Sequence, residues 1–272
     1  MAIEYPEAYH IARQMEQTLI GRSLARVDFR DTSASVFRWG FVNLHQRDVT
    51  GGCIHAIEQH GDEIYLRMDR HNLRFGAMIG KLLYHAPGEK PGPKAQVTFT
   101  LDNGASFTYN PTLYGYCQAR SDEEIEACKP AAGVSPFDPA FTPDYLAQAF
   151  AESRRKIAKQ MNLDHVQYKA AGVGNGYWMD VLFLSEVHPE RKSRMITTEE
   201  MERLHTNTLR VLSDAVAARG SMDEVDFFGA YGGYRRILGA HAKGQPCPKC
   251  GQPIQAKNLL GSAAYYCVNC QR

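Results

Sequence analysis

The chain opens on an apolar recurrence with a period near four. Ile11, Met15 and Leu19 fall on one helical face, Pro6 suits the first turn and Gly21 the end. The spacing predicts a helix over 5–21. From 23 to 119 the period shortens to two. Val97, Phe99 and Leu101 alternate with Thr98 and Thr100, Asp102-Asn103-Gly104 marks a turn, and Phe107 and Tyr109 resume the alternation. That pattern predicts a hairpin. Residues 64–66 and 81–84 are further strand candidates, so a leading helix and an antiparallel sandwich or barrel are expected. Pro130, Gly133, Pro136, Pro139 and Pro143 then crowd one stretch, which predicts a linker. Beyond it the period is helical over 142–150 and 157–164, breaks at Gly172-Val173-Gly174-Asn175, and resumes over 176–187. Thr197 with Glu200 forms a capping box, and Met201, Leu204, Thr208, Leu212 and Ala215 give a long stripe closed by Gly220. The second half is therefore helical, with a cysteine-rich tail.

With 44% apolar and 22% charged residues, the composition is ordinary globular usage and excludes a largely disordered or fibrous chain. No apolar run approaches the ~18 residues of a membrane helix. The first residues, MAIEYPEAYH, lack the basic start and apolar core of a signal peptide. A soluble intracellular protein is expected. The net charge of +1 is uninformative, but its distribution is not. Residues 227–272 hold Arg235, Arg236, Lys243, Lys249, Lys257 and Arg272 and no acid; residues 153–175 hold Arg154, Arg155, Lys156, Lys159 and Lys169 against Asp164. Such segments either meet a polyanion or form a solvated surface.

Cys247-Pro-Lys-Cys250 and Cys267-Val-Asn-Cys270 are separated by sixteen residues. Each pair can place two thiolates on one metal, and a hairpin through Pro253-Ile254 and Tyr265-Tyr266 would bring the pairs together. Four thiolates suit one structural zinc ion with no open position for water. Cys53, Cys117 and Cys128 are isolated and read as small buried hydrophobes. The Gly-Val-Gly-Asn turn offers a helix start with free N–H groups, and Asn175 can donate its amide to a phosphate oxygen. Taken alone it also fits a tight interhelical turn.

The order of these features is a sheet-rich half, a helical half bearing Gly-Val-Gly-Asn-Gly-Tyr and His188-Pro189-Glu190-Arg191, and a four-cysteine hairpin ending Cys-Gln-Arg. It resembles the formamidopyrimidine-DNA glycosylase/endonuclease VIII family of base-excision repair enzymes. The resemblance implies an α+β multidomain fold. Its parts are an N-terminal β-sandwich domain with a leading helix over 1–128, a linker over 129–141, a helix–two-turns–helix DNA-binding domain over 142–228, and a zinc β-hairpin segment over 229–272. Glu4-Tyr5-Pro6-Glu7 is similar to the family's opening Pro-Glu-Leu-Pro-Glu and sets Glu4 and Glu7 on its two acids. Ile3 then falls where the family has its N-terminal nucleophilic proline. Removal of Met1 would expose the primary amine of Ala2 one residue earlier. His60-Gly61-Asp62-Glu63 lacks the family's strand lysine, Leu113-Tyr114-Gly115 replaces Arg-Phe-Gly, and Gly261-Ser262-Ala263-Ala264 replaces Gly-Arg-Ser-Thr.

The resemblance implies Glu4, Glu7 and Ala2 as catalytic residues. Glu4 would stabilise an oxocarbenium-like sugar or activate water, Glu7 would protonate or orient the sugar or simply favour the first helical turn, and Ala2 would attack. It implies Asn175, Gly174, Lys159, Met78, Tyr114 and Tyr234 on DNA: Asn175 and Lys159 at phosphates, Met78 as a wedge or else a core residue, Tyr114 stacking on a base or else filling the sheet edge, and Tyr234 beside the lesion pocket. His188 would pack within the helical module. The expected function is release of damaged bases from double-stranded DNA carrying damaged or abasic nucleotides, with lyase chemistry in question. The protein would act as a cytoplasmic, nucleoid-associated monomer with no membrane partner. The alternatives are a catalytically inactive binder of damaged DNA and the same scaffold on another nucleic acid.

Overall fold

Glu4 precedes helix α1 (Tyr5–Leu19), whose Ala8, Ile11, Met15 and Leu19 are wholly buried. The computed structural model describes residues 3–31, 37, 39–76, 80–93, 95–111, 115–152, 157–159 and 170–272. Helix α1 ends two residues short of the predicted glycine. Gly21 takes φ +78 just past it, a conformation an L side chain rarely adopts.

Eight strands follow: β1 (Leu24–Phe29), β2 (Ile54–His60), β3 (Glu63–Met68), β4 (Asn72–Gly76), β5 (Gly80–His85), β6 (Val97–Leu101), β7 (Ser106–Pro111) and β8 (Tyr116–Arg120). They form two antiparallel sheets, ordered β1-β6-β7-β5 and β2-β3-β4-β8. A sandwich, rather than a barrel, is thus the outcome of the alternating pattern. The predicted hairpin is β6–β7, with Phe99 opposite Phe107 in register and their rings stacked at 4.5 Å. Phe75 of the second sheet meets Phe99, Phe107 and Tyr109 of the first edge-on, at 6.0, 6.5 and 5.5 Å. Burying each such ring contributes about 1.5–3 kcal/mol, so this aromatic cluster helps hold the sheets together.

Helix α2 (Asp122–Cys128) is capped by Ser121 and Glu124, and turns then occupy the proline-rich linker. Helices α3 (Pro143–Glu152), α4 (Asn175–Leu184) and α5 (Thr198–Ala217) make up the helical half. The Thr197–Glu200 box forms as predicted, with Glu200 Oε2 accepting from Thr197 N at 2.8 Å and Thr197 Oγ1 from Glu200 N at 3.3 Å. Of the helix expected over 157–164, Ile157 forms an isolated bridge to Lys192 and 158–159 take a short 3-10 turn, while 160–164 lie outside the described residues. Strands β9 (Gln255–Leu259) and β10 (Ser262–Tyr266) form the terminal hairpin. No helix among the described residues is long and apolar enough to cross a membrane.

The chain divides into two compact units, Met1–Lys129 with Val216–Tyr234, and Pro130–Ala215 with Arg235–Arg272. The consecutive segments of the sequence reading are cut differently because 216–234 returns to the first unit. Helix α1 draws it there. Beside its apolar face runs a polar stripe of Glu7, His10 and Gln14, and all three bind main chain of 216–227. Glu7 Oε1 accepts from Ser221 N at 2.8 Å, the His10 ring lies 2.6 Å from Val216 O, and Gln14 Oε1 accepts from Phe227 N at 2.9 Å. Gln14 Nε2 also donates to Asp226 Oδ2 at 2.8 Å. Buried polar groups need such partners, and here the partners are supplied by a distant stretch of chain.

Candidate metal centre and nucleic-acid interface

The two Cys-x-x-Cys turns bracket the β9–β10 hairpin and bring four sulfurs within 4.8 Å of one another. Cys247 and Cys270 are 3.8 Å apart and Cys250 and Cys267 3.5 Å, as Sγ–Sγ distances. A tetrahedron with Zn–S bonds of ~2.3 Å has edges of ~3.8 Å, so the sulfurs fit one ion of that size. The knuckles are built from local main-chain bonds: Gly251 N donates to Cys247 O, and Gln271 N to Cys267 O. The N–H of Gln252, directed at Cys250, lowers that thiol to about 6. These residues could therefore hold one metal ion, as the spacing predicted.

Behind the knuckles the C-terminus docks on the turn after α4. Gln271 Nε2 donates to Val187 O at 2.9 Å, Arg272 N to Glu186 O, and His188 N to Arg272 O. The His188 ring meets Tyr266 of β10 edge-on at 4.5 Å, so His188 packs against the terminal hairpin rather than within the helical module as expected. Asp180 of α4 is fully buried and accepts from Ile237 N and Leu238 N at 2.9 and 2.8 Å, which fixes the entry to the cysteine module.

The Gly-Val-Gly-Asn turn lies against the same hairpin. Gly174 is the N-cap of α4 in extended conformation, and Asn175 opens the helix. Asn175 Nδ2 donates to Ala263 O at 3.1 Å. Lys159 changes the reading. Expected at a phosphate, it is 0% exposed, and its ammonium donates to Leu259 O, Ser262 O and Ser262 Oγ at 2.5, 2.9 and 2.6 Å. Burial lowers its pKa. All three hydrogens of Nζ are taken, so in this conformation Lys159 holds the hairpin tip rather than offering a charge to DNA. Two other cations of the tail are paired at the surface, Lys249 with Glu186 at 3.1 Å and Lys257 with Glu190 at 2.7 Å. Exposed pairs of this kind add little stability.

In the first unit, Ile3 is 3% exposed and belongs to the apolar core. The position aligned with a nucleophile is thus occupied by a packing residue, while Ala2 lies outside the described residues. Glu4 is half-buried at the head of α1, with φ −111 and ψ −172. Glu7 is 5% exposed, and its two oxygens accept from Glu4 N at 3.1 Å and Ser221 N at 2.8 Å. Of the two roles expected for it, the first-turn acid describes this geometry. Glu7 ties the N-terminus to the returning segment. Gly220, at φ +90, makes room for it: a Cβ there would sit 3.1 Å from Glu7 Oε1. Tyr234 bonds its N–H to Gly220 O at 2.8 Å, so it stands at the closure of the same loop. Met222, Phe228 and Tyr231 are exposed on that loop. Met78 and Tyr114 lie outside the described residues.

Sequence reading missed His10, Gln14 and Asp226, because a polar stripe beside an apolar helical face ordinarily means solvent. It also missed a buried polar cluster on the outer face of the second sheet. Glu63 there accepts from Tyr65, Arg74 and Tyr116, and Arg67 pairs with Glu58, Asp122 and Glu126. Cys117 is buried as expected, while Cys53 and Cys128 are only partly so.

Comparison with known proteins covers both units. The model of the formamidopyrimidine-DNA glycosylase N-terminal domain matches residues 2–112, and that of the formamidopyrimidine-DNA glycosylase H2TH domain matches 132–226. A formamidopyrimidine-DNA glycosylase of Bacillus cereus is 30% identical over 278 residues, covering 98% of each chain. One of Desulforamulus reducens is 30% identical over 282 residues, covering 99% of each. Among solved structures, the Fpg protein of Thermus thermophilus superposes with a TM-score of 0.81 at 24% identity over 98% of each chain. The Lactococcus lactis Fpg in complex with DNA containing an abasic site gives 0.83 at 21% over 99% of each. These two structures bear on the fold alone.

Proposed function

Since the chain belongs to the formamidopyrimidine-DNA glycosylase family, we propose that it is a base-excision DNA glycosylase that breaks the N-glycosidic bond of damaged nucleotides in duplex DNA. The observation carrying this reading is end-to-end relatedness to chains bearing that name, with Glu4 retained at the head of α1. Duplex DNA with a damaged or abasic nucleotide is the partner, and the protein acts as a cytoplasmic monomer at the nucleoid. The four thiolates hold a zinc ion whose work is structural, because no fifth donor or open position is needed.

Glu4 is the acid–base residue at the sugar, and Glu7 positions it through the main-chain bond between them. Ala2 supplies the attacking group after loss of Met1. A primary α-amine with a reference pKa of about 8 is partly neutral at physiological pH and nucleophilic. Its lone pair bonds the anomeric carbon, the base leaves with the glycosidic electron pair and takes a proton, and the amine gives up a proton; the C1′–O4′ bond then breaks, O4′ takes a proton, and the opened sugar is held as a protonated Schiff base. Elimination of the 3′ phosphate from that intermediate would give lyase activity. A second reading is favoured by the burial of Ile3 in the core and the lack of a lysine at 60–63. In it the scaffold binds damaged DNA without amine chemistry.

Borohydride separates the two. The protein is incubated with abasic-site duplex and reductant, and its intact mass is measured. A covalent adduct mapping to Ala2 is expected. No adduct, with tight binding retained, would overturn the amine step and favour the second reading.

Asn175, Gly174 and Tyr234 are the DNA contacts among the described residues, with Met78 and Tyr114 proposed beside them. One hydrogen of Asn175 Nδ2 is on Ala263 O, and in this reading the second is the one given to a phosphate oxygen. Asn175→Ala is expected to weaken binding about 10-fold on damaged and intact duplexes alike, because a phosphate contact carries no base information. Titration by fluorescence anisotropy checks it, and unchanged affinity would remove Asn175 from the interface.

A further inference from the structure

The terminal hairpin turns through only two residues. Leu259 of β9 and Ser262 of β10 are register partners, so Leu260 and Gly261 form the whole connection. Both have positive φ, +58 and +82, as a type I′ turn requires. Glycine suits the second place. The first ordinarily takes Asn, Asp or Gly, because most L side chains crowd their own carbonyl in the left-handed region. Leucine stands there instead, and it is 40% exposed. A single exposed leucine is ordinary at a protein surface. One held exposed in a strained conformation is not, because such strain persists only where the surroundings over-determine it.

Lys159 supplies that constraint. Its buried ammonium donates to Leu259 O on one side of the turn and to Ser262 O and Oγ on the other, so one cation fixes both ends of the connection. Taking an ammonium out of water is costly, and an Asn-Gly turn would need no such brace. A second brace comes from the start of α4, where Asn175 Nδ2 donates to Ala263 O at 3.1 Å, one residue beyond Ser262. Two side chains of the helical half therefore hold the tip beside Gly174-Asn175. Packing does not account for what the tip presents. Leu259 is 8% exposed, whereas Leu260 next to it stays out at 40%. The hairpin, 255–266, carries no acid that would repel a phosphate strand passing its tip.

We infer that Leu260 is a DNA-contact residue, which lays its side chain on a deoxyribose next to the phosphate bound by Asn175. The inference rests on the function proposed above, in which the start of α4 meets the duplex. Along a DNA strand the apolar surface beside a phosphate is the sugar, and contacts to phosphate and sugar position a protein without reading sequence. A leucine on a braced turn makes this contact with little ordering left to do on binding. The contribution is uncharged and common to damaged and intact duplexes. Lys159 is then a positioning residue that acts on DNA only through the turn it holds.

The test titrates wild type, Leu260→Asn, Leu260→Met and Lys159→Met with intact and abasic-analogue duplex by fluorescence anisotropy, between about 50 and 200 mM salt. Thermal melting is recorded beside it. Leu260→Asn places a residue suited to the left-handed conformation in the turn, so the melting temperature should hold or rise. Its affinity for both duplexes should nevertheless fall about 10-fold. The slope of log affinity against log salt should not change, because no ion pair is lost. Leu260→Met, which keeps the apolar surface, should bind within about threefold of wild type. Lys159→Met should weaken binding at an unchanged salt slope, since the turn loses its brace and the DNA loses no charge. Affinity within twofold of wild type in Leu260→Asn would overturn the inference, and so would a loss that comes with a lower melting temperature, which would mark Leu260 as a folding residue. A slope lowered by about one in Lys159→Met would place its ammonium on a phosphate and overturn its role as a brace. A wild-type protein that binds neither duplex would overturn the function proposed above along with this inference. Weakened binding in Asn175→Ala with Leu260→Asn unaffected would overturn this inference alone.

Discussion

Glu4→Gln is expected to lower the rate of base release by about 10²–10⁴-fold, the range spanned by a single general acid or base. The substitution keeps the shape of the side chain at the N-cap of α1 and removes its charge and its proton chemistry. Stability should change little, because an acid at a helix N-terminus contributes only ~0.3–1 kcal/mol. Affinity for abasic-analogue duplex should stay within about threefold, since the proposed phosphate contact is at Asn175 and not at Glu4. Single-turnover release of the base checks this, with thermal melting as the control for folding. A rate within twofold of wild type would take Glu4 out of the chemistry. The companion Glu7→Gln should behave otherwise. Its oxygens hold Glu4 N and Ser221 N, so its loss should appear as a lower melting temperature together with a slower reaction.

Cys267→Ser should take bound zinc from one ion per chain to nearly none and unfold the β9–β10 hairpin. Cys267 is wholly buried, and its own N–H is held by Gln271 Oε1 at 2.9 Å. Structural zinc sites contribute on the order of 10 kcal/mol to the folding of the module around them, far more than a hairpin of two five-residue strands can supply alone. The loss should spread to DNA binding. Asn175 and Lys159 both bond the hairpin tip, at Ala263 and at Leu259 and Ser262, so the helix start and the hairpin form one surface. Metal analysis of the purified variant and hydrogen exchange over 255–266 provide the readout. Retention of stoichiometric zinc would sink the four-thiolate assignment.

What the sequence made legible followed from periodicity and spacing. The alternation over 97–109 specified β6, its turn and β7 residue by residue, because one face of that hairpin is buried and a slip of one residue would expose it. The cysteine spacing specified the metal cluster, because two short knuckles can meet in few ways. The roles of Lys159 and Glu7 were not legible. A lysine in a basic stretch and an acid in a first helical turn are ordinarily solvated, and only tertiary placement gives each its main-chain partners. The Glu63 cluster was invisible for a related reason. Glu63, Tyr65, Arg67 and Arg74 look like the wet face of a sheet until α2 and β8 bring the partners that cover them. The buried Ile3 was readable as an apolar residue, but that it belongs to the core rather than to an exposed reactive terminus came only from the fold.

The polar stripe on α1 also bears on how the polypeptide matures. Its bonds span 206, 212 and 214 positions of sequence. During synthesis the first unit is therefore unfinished long after its own strands have emerged. Glu7, His10 and Gln14 keep unanswered hydrogen-bonding groups, and the place of Phe227 beside Phe107 and Tyr84 stays open, until nearly the whole protein has left the ribosome. Contacts this remote form late and slowly. The N-terminal half is thus no autonomous folding domain. Helix α1 acquires its polar partners only when residues 216–227 arrive, so an incomplete polypeptide emerges without them.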